Sequence, residues 1–113
     1  MTIDFSVLLK EIESGVVAAA IKDATAFVEQ TAADTATFVA ASTASIAKYI
    51  SLYSAGQITA CELKSLLLGL GDLATMDGLK AAGLAEIEIE KIRDAAIKAL
   101  ISIVGAAIKS AIA

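Results

Sequence analysis

The sequence has no histidine, no proline and no tryptophan, a single cysteine at Cys61, and aromatic residues at only 4% of its 113 positions. Each absence excludes something. Without histidine the commonest general base and metal ligand is missing. One thiol excludes an intrachain disulfide framework and any multi-cysteine metal site. Nine Lys/Arg stand against thirteen Asp/Glu, a net charge of −4, and no basic cluster is present to neutralise phosphates, so nucleic acid is not expected as a partner. The start, Met-Thr-Ile-Asp-Phe, lacks the basic segment and cleavage site of a secretory signal. The longest uncharged runs, Thr35–Ala47 and Tyr49–Cys61, fall short of the ~20 residues that span a bilayer. With neither leader nor clear transmembrane segment, the expected location is cytoplasmic by default, or outside the cell by a leaderless route.

What is present is apolar surface: 58% of residues are hydrophobic, far above the range of disordered chains. Alanine is the commonest residue, and with no proline little opposes long helices. The expected fold is therefore all-α, a single helical domain over 1–113.

The sharpest punctuation is Ala55-Gly56-Gln57-Ile58-Thr59. Gly56 can take the left-handed conformation that closes a helix. Thr59-Ala60-Cys61-Glu62 has the form of a capping box, with Ile58 and Leu63 placed for a hydrophobic staple. Three local signals agree on a turn over Gly56–Ile58.

Before that turn the chain repeats every eleven residues: Phe5, Val16, Phe27, Phe38 and Tyr49 form one row, and Val17, Val28, Val39 and Ile50 its neighbour. Eleven residues make three turns at ~3.67 residues per turn, so the stripe keeps to one face of a nearly straight helix. This spacing predicts one helix over about 4–55, with a break near Thr31-Ala32-Ala33-Asp34 as the alternative. After the turn a second helix over about 59–112 is expected. Gly69, Gly71, Gly78 and Gly83 mark 69–83 as the place where it would break or kink, since each costs a helix ~1 kcal/mol relative to alanine. Two such helices match in length and would lie together as a long antiparallel hairpin.

A hairpin of this kind leaves apolar surface uncovered. From Ala95 to Ala113 the only charges are Lys98 and Lys109, and a helix apolar over most of its circumference needs more than one neighbour. The expectation is self-association, with the hairpins forming a multi-helix bundle, a homo-oligomer or a filament through Phe27, Val28, Phe38, Val39, Tyr49, Ile50, Leu100, Ile101, Val104 and Ile108. A contact that does not close propagates into a fibre, and a two-fold contact stops at a dimer or tetramer. The eleven-residue amphipathic repeat also resembles that of exchangeable apolipoproteins and lipid-droplet coat proteins. That resemblance implies, as the alternative, a protein that lies on a membrane or lipid surface.

Catalytic chemistry is not expected. Cys61 falls at the second position of a helix, where a thiol is activated, but no base accompanies it. Glu86, Glu90 and Asp94 are spaced by four among Lys91, Arg93 and Lys98, which reads as a solvated salt-bridge face. Gly69-Leu70-Gly71 follows no strand and matches no phosphate-binding fingerprint. No catalytic residue, metal, cofactor or small-molecule substrate is assigned; the expected role is structural and the expected partner is the chain itself.

Overall fold

The computed structural model describes residues 4–24 and 27–112, with the side chains of residues 23 and 110–112 excepted. The described residues form helices and no strand, as composition predicts, but the helices are shorter than the repeat implied. Five are present: α1 (Phe5–Asp23), α2 (Val28–Ser54), α3 (Ala60–Gly69), α4 (Asp77–Ala81) and α5 (Glu86–Ile112), with one 3₁₀ turn at Leu70–Leu73. The body measures 44 × 21 × 19 Å, and a 27-residue helix such as α5, ~40 Å long at 1.5 Å per residue, runs its length.

The turn after α2 forms as the sequence dictates. Gly56 sits at φ 76°, its N–H donates to the Tyr53 carbonyl at 3.0 Å, and the Gln57 N–H donates to the Leu52 carbonyl at 2.9 Å. That pair of bonds is the Schellman closure. Thr59 then caps α3: its hydroxyl accepts from the Glu62 N–H at 3.1 Å, while the Glu62 carboxylate accepts from the Thr59 N–H at 3.0 Å. Ile58 and Leu63 both join the core.

The single helix expected over 4–55 is two helices. α1 ends at Ala24, which is extended, and α2 starts from Phe27 at φ 56°, ψ 42°. The alternative break at Thr31–Asp34 is also displaced, since those residues lie inside α2. The physical reason is burial. One straight rod would present Leu8, Ile12, Val16 and Ala20 far from most of the apolar surface that follows. With α1 folded back on α2, all four lie in the common core against α2 and α5. Burial at ~25 cal/mol per Å² over several side chains exceeds the ~1–2 kcal/mol of a left-handed non-glycine residue.

The second expected helix, 59–112, is divided as well, within the glycine-bearing stretch. α3 runs into the 3₁₀ turn, Met76 takes φ 55°, and Gly83 at φ 90° closes α4. The Gly83 N–H donates to the Lys80 carbonyl and the Leu84 N–H to the Leu79 carbonyl, both at 3.1 Å, a second Schellman closure. α1, α2, α3 and α5 thus alternate in direction, with Gly71 near Ile97 beyond the end of α3, and the short α4 packs over the beginnings of α2 and α5.

The α1–α5 contact is close. A Cβ on Gly15 would fall 2.4 Å from Ile103 Cδ1, so the glycine face of α1 accepts the isoleucine of α5. At the N-terminus Asp4 caps α1, and the Ser6 hydroxyl with the Val7 N–H holds its carboxyl below the usual carboxylate value of 3.8. A lowered carboxyl contributes stability above that range, and the contribution is lost as pH falls through the folded value.

Buried polar groups are few. The Thr35 hydroxyl donates to the Thr31 carbonyl at 2.7 Å and the Ser42 hydroxyl to the Phe38 carbonyl at 2.8 Å, local bonds that let small polar residues sit inside the bundle. Thr31 differs, because its buried Oγ1 has no partner. Thr31→Val keeps the shape and removes an unpaired hydroxyl, so it is expected to stabilise the fold by about 1–2 kcal/mol. Thermal unfolding should register a higher Tm; an unchanged or lower Tm would mean that the hydroxyl is satisfied.

Candidate functional site

The ten residues expected to mediate self-association divide by depth. Phe38, Val39, Ile50, Leu100, Val104 and Ile108 are all under a tenth exposed and lie in the core of the single chain. Tyr49 and Ile101 are half-buried against that core. Phe27 and Val28 remain open, each 46% exposed, beside the α1–α2 connection. The helix breaks explain this distribution: with three helices and the 3₁₀ turn of the same copy against it, α5 finds within its own chain most of the neighbours it needs. α1, α3 and α4 all contact it, as does the 3₁₀ turn.

Outward-facing apolar side chains persist elsewhere. Ile87 is 63% exposed and Leu68 52%, with Val7 and Leu73 also open. None of these four was singled out by the repeat. Ile87 was nonetheless legible as an isoleucine set between Glu86 and Glu88 near the start of a helix, where an apolar residue gains little from water.

Among the described residues two clefts adjoin α5. One, of about 340 Å³, opens between α3 and the last turns of α5, over Leu63, Leu67, Ile101, Val104 and Ile108. Tyr53 from the end of α2 closes one side, and Lys64 and Lys109 stand at its lining with no carboxylate among the residues that form it. Gly105 contributes open space, since a Cβ there would meet nothing within 4 Å. The second cleft, about 430 Å³, carries charges of both signs, with Lys80, Arg93 and Lys98 alongside Asp72 and Asp94. Arg93, the chain's only arginine, spends its Nε–H on the Ala74 carbonyl at 2.9 Å. That bond ties the segment before α4 to α5.

Comparisons with protein-family models, with curated proteins and with solved structures find no match to this chain. The functional reading therefore stands on the geometry alone.

That geometry assembles little reactive chemistry. Cys61 is exposed in the first turn of α3. Among the described residues no three His, Cys, Asp or Glu side chains are grouped to hold a metal ion. Glu86, Glu90 and Asp94 of the acidic ridge of α5 are exposed, and beside them Glu88 pairs with Lys91 one turn on, at 3.7 Å. No helix among the described residues is long and apolar enough to cross a membrane.

Proposed function

We propose that this chain is a structural helical protein that associates with copies of itself, and not an enzyme. The observation carrying the reading is the apolar surface left uncovered by the folded bundle: Ile87 and Leu68 more than half exposed, and an open apolar groove between α3 and α5. Side chains of this size each forfeit on the order of 1–3 kcal/mol when left in water, and an open apolar groove rimmed by polar residues marks an interaction surface. Covering them by a second copy needs no other partner. The long hairpin is replaced in this reading by a pre-folded bundle, so assembly joins finished units through their outer faces. Sedimentation of the purified chain at micromolar concentration should give a mass that is a multiple of 11.5 kDa. A single species of that mass over the whole accessible range would overturn the proposal.

A second reading, binding to a lipid surface, draws on the two lysines beside the apolar groove, an arrangement suited to anionic headgroups over acyl chains. Flotation with anionic vesicles separates it from the first: lipid-dependent association supports it, whereas assembly without lipid supports self-association.

A further inference from the structure

We infer that two copies of this chain pair antiparallel through the outward face of α5, with Ile87 of each entering the α3–α5 groove of the other. The inference deepens the self-association reading and rests on it.

At about 100° per residue, Ile87, Lys91, Asp94, Lys98, Gly105 and Lys109 fall within about 40° of one line along α5, and all six are exposed. Ile101, on the same side, forms a wall of the groove. The knob and its socket therefore lie on the same side of one helix, separated by the eighteen residues from Ile87 to Gly105, a distance of ~27 Å. Two features on one face at opposite ends cannot meet by translation. They meet when a second copy is turned end for end, about a two-fold axis level with Ala96. That operation closes both contacts at once and ends at a dimer.

The charges match in the same register. With Ile87 over Gly105 of the second copy, Asp94 comes opposite Lys98 of that copy, and Lys98 opposite its Asp94. A two-fold of this kind also brings like sides of the two helices together. Glu86 and Glu90 lie toward the side of α5 on which α3 packs, so each faces α3 of the other copy, where Lys64 borders the groove. On the side facing α3 the apolar knob thus carries carboxylates and the apolar socket a lysine, while Lys91 lies on the knob's other flank. The absence of a side chain at Gly105 leaves the space that Ile87 would take.

Charge exchange at the centre of the contact tests this. Asp94 and Lys98 are exposed, so changing them spares the core, and circular dichroism checks that helicity is kept. Asp94→Lys alone, or Lys98→Asp alone, sets like charges against each other twice across the two-fold. Each should raise the dimer dissociation constant by more than about tenfold, read by sedimentation equilibrium. The double change D94K/K98D restores opposite charges and should return the dimer. Ile87→Arg should abolish pairing without loss of helicity. If the wild type assembles but all these variants assemble equally well, this contact is wrong and self-association proceeds through another face. A wild type that stays single at every concentration refutes both the contact and the broader reading. If such a monomer also floats with vesicles of phosphatidylcholine and phosphatidylglycerol, the groove serves lipid instead.

Discussion

Replacing Phe38 by alanine is expected to lower the unfolding free energy by about 3–5 kcal/mol. The side chain is 2% exposed in the middle of α2, and truncation leaves a cavity that helices on several sides cannot close. A domain of this size has a total stability of roughly 6–17 kcal/mol, so this one change removes a large part of it. The expectation separates two roles for the eleven-residue stripe. If Phe38 served mainly as a contact between copies, its loss would shift the association equilibrium and leave the unfolding of the isolated chain nearly unchanged. Phe27, one repeat earlier and 46% exposed, supplies the comparison. Phe27→Ala removes far less buried area and should cost well under half as much. Urea unfolding of both variants, at a concentration where only one species sediments, decides the matter. Equal and small effects would place Phe38 outside the core.

The contrast between these two phenylalanines shows what was readable in the sequence and what was not. Helical content, and the turn between α2 and α3, follow from local chemistry: a glycine free to adopt positive φ, a threonine and a glutamate three apart, and no proline to interfere. The glycines at 69–83 likewise announced a weak stretch, and the second segment divides there. The division between α1 and α2 had no such signal. Neither glycine, proline nor a side-chain cap stands at the start of α2, where Phe27 itself takes the left-handed conformation. Only tertiary burial of α1 against α5 accounts for it, and that is invisible to periodicity. The same limit governed the site. Hydrophobicity identified Leu100, Val104 and Ile108 as side chains that must leave water, but did not say what would cover them. In the fold it is largely the chain's own α1 and α3. The groove and the exposed Ile87 emerge only when the breaks are known, because they fix which face of α5 remains outside.

Asp34→Ala is the second change expected to be large, at about 2–3 kcal/mol, though neither the helix propensity nor the burial of Asp34 suggests it. α4 has five residues and begins after Met76 with no side-chain cap of its own. The missing acceptor comes from α2, forty-five positions away in sequence: Asp34 Oδ2 accepts the Leu79 N–H at 2.8 Å, while Oδ1 accepts from Gln30 Nε2 at 2.9 Å. Alanine at 34 leaves a part-buried N–H and the Gln30 amide without partners, and bonds to charged groups contribute about 1.5–3 kcal/mol each. Asparagine keeps an acceptor oxygen and should recover roughly half of the loss. Gly78 belongs to the same device, because a Cβ there would fall 2.0 Å from Gln30 Nε2 and 2.6 Å from Asp34 Oδ1. Gly78→Ala should therefore displace that pair and destabilise the fold despite alanine's better helix propensity. Once Asp34 is already alanine, the carboxylate that Gly78 must clear is gone and the glutamine is released from its bond. The glycine change should then cost less than in the wild type, and the cycle should show coupling of about 0.5–3 kcal/mol. Chemical denaturation of the two single variants and the double variant measures it. Strict additivity would show that Asp34 holds α4 independently of the glycine, and a neutral Asp34→Ala would remove the cap from the account altogether.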